Sequence, residues 1–351
     1  MNKTGLIVLA IVLFASCSQK QTNNTKDVIV AKGQIPNIAK GKDNKLHLVF
    51  GTGDSIMYSY SSDQGHSFSA PELISVLPKV YTFAMRGPQV AVTNNSIVVT
   101  AATSKGDIFS FHKEDGHNWV QGGRVNDVDT IAKEGLMSLS ADDDNLYAVW
   151  LDLRGNKRNK IYGSKSVDGG KTWLTNKMIY TSPDTTVCEC CKPSVLIRNN
   201  HVYVMFRNWL KGNRDLYVVE SQDGGDTFGQ AQKLGNGSWK LNGCPMDGGG
   251  LAINKNGEIQ TVWRREGKIY SDEPGKAEKQ VGEGRSCSIE TINNKDIYAW
   301  TEKENIIVTK PDGQKVNLGK GTLPILRTID NDKVICIWQT ESEIHASVLN
   351  L

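Results

Sequence analysis

Cysteine and arginine are the residues of this chain best suited to chemistry. Five of its seven cysteines are Cys188, Cys190, Cys191, Cys244 and Cys287. Such a set has two chemical outlets. In an oxidising compartment thiols pair, and Cys190 or Cys191 joined to Cys244 would staple neighbouring segments. Thiolates also hold soft metal ions. Cys188-Glu189-Cys190-Cys191 is not a standard zinc spacing, yet Cys244 and Cys287 would complete a sulfur-rich site. Five is odd, so a pairing scheme leaves one thiol over. Cys336 sits inside the apolar run Val334-Ile335-Cys336-Ile337 and reads as a small core residue.

Arg86, Arg154, Arg207, Arg214, Arg264 and Arg265 flank runs of β-branched and aromatic residues. A guanidinium is a planar fork that matches a carboxylate with two parallel hydrogen bonds, so clustered arginines suit an anionic ligand. The alternative is internal pairing, through carboxylates such as Asp152 and Asp215. Tyr81, Glu134 and Asp247 are the candidates for acid, base or nucleophile work. The six histidines are scattered without a ligand pair, and no nucleophile elbow, phosphate loop or calcium loop occurs. With a net charge of +3 and basic residues spread along the chain, nucleic acid is an unsuitable partner.

The elements that position these groups follow from a repeat. Ser61-Ser62-Asp63-Gln64-Gly65-His66-Ser67-Phe68 has near-copies in Lys113-Glu114-Asp115-Gly116-His117-Asn118-Trp119, in Ser166-Val167-Asp168-Gly169-Gly170-Lys171-Thr172-Trp173 and in Ser221-Gln222-Asp223-Gly224-Gly225-Asp226-Thr227-Phe228. From Asp63 through Asp115 and Asp168 to Asp223 the steps are 52, 53 and 55 residues, a period that implies an array of similar modules. Weaker copies stand at Glu273-Pro274-Gly275 and Asp312-Gly313. Locally the motif reads as a turn: Ser and Asp oxygens accept backbone N–H groups, Gly tolerates positive φ, and the aromatic plugs a slot.

Before each turn run two strands, the first ending in a large aromatic, as in Leu46 to Phe50, Leu146 to Trp150 and Val334 to Trp338. A shorter strand opens each unit, often at a proline such as Pro36, Pro88, Pro193 or Pro324. Four strands per unit make a propeller blade, so the chain is expected to be all-β. Opening strands near 36, 88, 136, 193, 250, 287 and 324 predict seven blades, with six as the alternative. The last unit lacks a strand that residues 27–31 can supply, closing the ring without a free edge. If the repeated turns occupy one rim, the other carries Arg86, Asp152, Arg154, Arg207, Arg214 and Arg264, and the five cysteines at the openings of three successive blades.

Lys3 and the apolar run from Leu6 to Ala15 suit a secretory signal and are too short to span a membrane. The run ends Phe14-Ala15-Ser16-Cys17, which is similar to a bacterial lipobox, whose cysteine is lipidated; an ordinary signal peptide is the other reading. The expected layout is a signal over 1–16, a tether over 17–26 and one propeller over 27–351. Cys17 would hold it by lipid in the bacterial cell envelope, at the outer membrane.

Ser-x-Asp-x-Gly-x-Thr-Trp copies at this spacing resemble the Asp-boxes, or neuraminidase repeats, of sialidase-like propellers, from about residue 34 to the end. The resemblance implies a propeller, three arginines that clamp a carboxylate, an Asp acid/base, and a Tyr nucleophile activated by Glu. Family members carry the first arginine in Arg-Ile-Pro; this chain has Gln34-Ile35-Pro36, and its second unit has Arg86-Gly87-Pro88. A glutamine lacks the charged fork. The expectation is therefore a propeller that recognises an anionic glycan or similar carboxylated ligand on its arginine rim, without a required cofactor. An active exo-sialidase or related glycosidase is the second reading, and a soft-metal activity at the cysteines the third.

Overall fold

A computed structural model describes residues 27–184 and 186–351; the expected signal and tether, Cys17 included, lie outside them. The described residues form seven four-stranded antiparallel sheets and no helix. The opening strands of blades one to seven are Gln34–Lys40, Gln89–Val92, Met137–Asp142, Ser194–Arg198, Gly249–Ile253, Arg285–Ile292 and Thr322–Thr328. Neighbouring opening strands contact one another in order, the last against the first, which makes the assembly a seven-bladed β-propeller around an axial channel. That is the fold implied by the resemblance to sialidase-like propellers. Val28–Lys32 pairs antiparallel with Glu343–Asn350 and completes blade seven.

Apolar burial lies between blades. Seven clusters occur, one at each blade boundary, for example Val49, Ile56 and Tyr58 of blade one against Val90, Val99 and Phe111 of blade two. The aromatics that end the second strands fill them: Phe50, Trp150, Phe206, Trp263, Trp300 and Trp338 are each at most 2% exposed. Each such side chain contributes about 1.5–3 kcal/mol by leaving water.

The repeated turns join third to fourth strands and share one hydrogen-bond pattern. In the first, Ser61 Oγ accepts the Gly65 N–H at 2.8 Å, while Asp63 accepts the Ser67 N–H at 2.9 Å and its hydroxyl at 2.6 Å. The turns at Asp168 and Asp223 repeat it. Gly65, Gly170 and Gly225 hold φ between 83° and 91°, where a side chain would be strained. Phe68, Trp173 and Phe228 are half-buried against the boundary clusters rather than fully enclosed.

Candidate functional site: the axial cavity and its sulfur-bearing mouth

Opening strands of all seven blades line an axial cavity of about 340 Å³. Its charged side chains are Lys40, Lys192, Arg327 and Asp247, three cations against one carboxylate. Arg327 is neutralised by Glu290 at 2.9 Å and donates to the Ile38 carbonyl, and the Lys40 ammonium donates to the Ile329 carbonyl. Lys192 is likewise held by a neutral acceptor alone: among the described residues its ammonium has one partner, Gln89 Oε1 at 2.8 Å. Gln89 is aimed by its own amide nitrogen, which donates to the carbonyls of Gly87 and Pro88. Burial, with some repulsion from Arg327, lowers the Lys192 pKa to about 8.

Asp247 precedes blade five and is 1% exposed. It accepts the Gly248 N–H at 3.0 Å and that of Ser286 at 3.2 Å, and Arg264 Nη1 lies 3.7 Å away. Ser286 adopts φ 56° to present that N–H, at a bulge where blade six begins. Burial pushes the Asp247 carboxyl up, against the pull of Arg207 and Arg264. Arg207 and Arg264 flank Trp239, each guanidinium carbon 5.4 Å from the ring centre, a cation–π arrangement. Arg207 is 2% exposed and donates Nη1 and Nη2 to the carbonyls of Arg214 and Arg264, while among the described residues its Nε has no partner. Arg264 is partly exposed, and among the described residues its Nη2 has no hydrogen bond.

The other expected site residues form two further groups. Arg86 donates to the Glu134 carbonyl at 2.6 Å and its Nη2 lies 3.7 Å from the Glu134 carboxylate; Tyr81 beside them donates its hydroxyl to the Lys133 carbonyl at 2.7 Å. Arg154 makes two 2.9 Å bonds to buried Asp152, a third to Asp127, and stacks on Tyr162 at 4.1 Å. Arg265 is held by Glu278 at 2.6 Å over Tyr270, and Asp215 accepts the Trp239 N–H. Gln34 is exposed and donates to the Glu341 carbonyl. No recorded contact joins Asp247 to Tyr81 or Glu134 among the described residues.

Cys190 and Cys244 form a disulfide that links the approaches to blades four and five. The Cys188 sulfur lies 3.3 Å from that of Cys191 and 3.7 Å from that of Cys190, and all three residues are buried. Arg214 Nη1 donates to Cys188 Sγ at 3.0 Å and stacks over Trp209. The hydrogen bond with Cys191, then Arg214 and Arg207, lower the pKa of the Cys188 thiol although burial opposes them. Burial pushes Cys191 up. Cys287 stands outside this group, lines the axial cavity and is pushed up by burial and by Asp247. Cys336 is fully buried in blade seven.

Sequence reasoning passed over Lys192, Gln89 and Trp239. Lys192 stands two residues before the opening strand Ser194–Arg198, one of the two kinds of position at which the arginines were sought, so admitting lysines would have found it. Trp239 lies in a long loop between blades and carries no such signal.

No protein-family model matches the chain, and no curated protein matches it significantly. Similar solved structures share its fold. The lectin BP39L of Burkholderia pseudomallei is 9% identical with a TM-score of 0.64, covering 91% of this chain and 96% of its own. An ulvan lyase of a polysaccharide lyase family is 9% identical, TM-score 0.57, with coverage of 93% and 96%. The α-L-arabinanase of Penicillium chrysogenum, complexed with arabinobiose, is 12% identical, TM-score 0.54, with coverage of 92% and 97%. At these identities the likeness defines a seven-bladed propeller class and no particular activity.

Proposed function

We propose that this propeller recognises an anionic, carbohydrate-type ligand at its axial cavity and does not turn over sialosides. The observation that carries the reading is Lys192, a cavity-lining ammonium whose one partner among the described residues is a neutral amide. A charge in that setting gains most from an incoming anion, because little water competes for it. Arg264, partly exposed, lies 3.7 Å from the cavity-lining Asp247 and stacks on Trp239. Lectin, lyase and arabinanase propellers of similar fold support a sugar as the scaffold of that anion.

Absence of turnover is supported by the groups that a sialidase mechanism would use. A tyrosine nucleophile needs a carboxylate to draw its proton. Tyr81 instead donates to a carbonyl, and burial pushes its phenol up. Arg86 is engaged by Glu134, Arg207 by main-chain carbonyls, and position 34 offers a neutral amide. Titration calorimetry with sialyllactose, oligoglucuronate and neutral oligosaccharides tests binding, and a fluorogenic sialoside tests hydrolysis. Binding of an acidic sugar that weakens at least tenfold in Lys192→Met, with no hydrolysis, is expected. Equal binding of neutral sugars, an unchanged Lys192→Met, or robust hydrolysis overturns the reading.

We also propose that Cys17 is lipidated and tethers the propeller to the bacterial envelope, at the outer membrane. Small residues before the cysteine and a polar stretch after it support that placement.

A further inference from the structure

Apart from the ligand site, we propose that Cys188, Cys191, Cys190 and Cys244 form a thiol–disulfide relay that transfers oxidation from the Cys190–Cys244 bond to a buried Cys188–Cys191 bond and so releases Cys244 as an exposed thiol. The proposal stands on where the four sulfurs sit. Cys188 Sγ is within 3.7 Å of Cys190 Sγ, one partner of the disulfide, and within 3.3 Å of Cys191 Sγ. Arg214 donates to the Cys188 sulfur at 3.0 Å, a contact that favours the thiolate, which is the attacking species in exchange. Cys188, Cys190 and Cys191 are shielded from solvent, whereas Cys244 is exposed. A staple built only for stability has no need of two unpaired thiols packed against it.

The chemistry is balanced without an outside oxidant. The Cys188 thiolate attacks Cys190 Sγ; the Cys188–Cys190 bond forms, the Cys190–Cys244 bond breaks, and Cys244 leaves as a thiolate that takes a proton from water. Cys191, deprotonated in turn, attacks Cys188 Sγ and releases Cys190 as a thiol. Two thiols and one disulfide go in, and two thiols and one disulfide come out. The direction of net flow is set by a small thiol or disulfide in solution, which reaches the relay at Cys244. That residue is three positions before Asp247, and the intervening Pro245 carbonyl accepts from Arg264, so the port opens beside the axial site.

Full-length protein purified without reductant is pulsed with a maleimide under native conditions, quenched in acid and mapped by peptide mass spectrometry. In the wild type, label is expected at Cys244 together with a Cys188–Cys191 disulfide. Cys188→Ser should keep the Cys190–Cys244 bond and lower labelling of Cys244 at least tenfold. Cys191→Ser should stall at Cys188–Cys190 and still label Cys244. Protection of Cys336 from maleimide reports that each variant is folded, and the wild-type map decides the matter if a variant is not. A wild type with only the Cys190–Cys244 disulfide and unlabelled Cys244 overturns the relay. So does equal labelling in Cys188→Ser, or four reduced sulfurs with stoichiometric zinc or copper.

Discussion

Lys192 and Arg154 show how position decides what a cation does. Arg154 meets a buried carboxylate in a bidentate pair and reaches Asp127 besides, whereas Lys192 lines the axial cavity and, among the described residues, meets only an amide oxygen. Its pKa near 8, below the ordinary 10.5, has two consequences of opposite sign. Binding of an acidic sugar needs the ammonium, so affinity is expected to fall about tenfold per pH unit above about 8 and to be flat in Lys192→Met. Stability without ligand moves the other way. The unfolded chain binds more protons between about 8 and 10.5, so the wild type gains stability relative to Lys192→Met as pH rises through that window. Calorimetric titrations and melting curves from pH 7 to 10 measure both, and an affinity that holds to pH 10 removes Lys192 from the site.

At the scale of the element, the serine–aspartate turn is a self-contained device. Hydrogen bonds from Ser67 and Ser61 outweigh desolvation and hold Asp63 at about 2; Asp168 is lowered the same way, and Asp223 is lowered chiefly by Thr227. A depressed carboxylate contributes stability above its unfolded pKa and loses it as pH falls through the folded value. Three such turns should therefore weaken together between about pH 4 and pH 2, which chemical unfolding across that range reads directly. The Asp115 turn has Lys113 in place of the serine, yet Trp119 still packs against its boundary cluster. Because Trp173 is half-buried, Trp173→Ala should cost about 2 kcal/mol, below the range for a fully enclosed aromatic. An unchanged melting temperature would sink the plug reading of that aromatic.

The whole ring depends on closure across its two ends. Val28 and Val30 pack with Ile344 and Ala346 beneath blade one, and removing their strand would leave Glu343–Asn350 as an open edge. The closing strand begins at Val28, eleven residues after Cys17. Cys17→Ser should consequently shift the protein from membrane to soluble fraction and abolish fatty-acid labelling without changing the melting temperature. Persistent membrane partitioning, with no label in the wild type, would refute the anchor. Deleting residues 27–32 as well should lower the melting temperature and promote association, separating the tether from the closing strand.

How much could be read from the sequence depended on the range of each interaction. The seven blades, the closing strand and the turn chemistry were legible because a blade is built from neighbours in sequence: Ser61 bonds Gly65, and Phe50 lies a few residues before its hairpin partner Met57. Placing the cysteines at strand openings, and the arginines before opening strands or after aromatic strand ends, followed from the same period. Choosing partners among them required the ring. Cys190 rather than Cys191 meets Cys244 from 54 residues away, Cys287 stands apart from that group, and Arg207 turns its donors to the carbonyls of Arg214 and Arg264. Alternation along a strand tells which face a side chain takes, but not which side chain of the next blade waits there. That is why the pairing of the Lys192 ammonium with a neutral amide emerged only once seven opening strands enclosed one cavity.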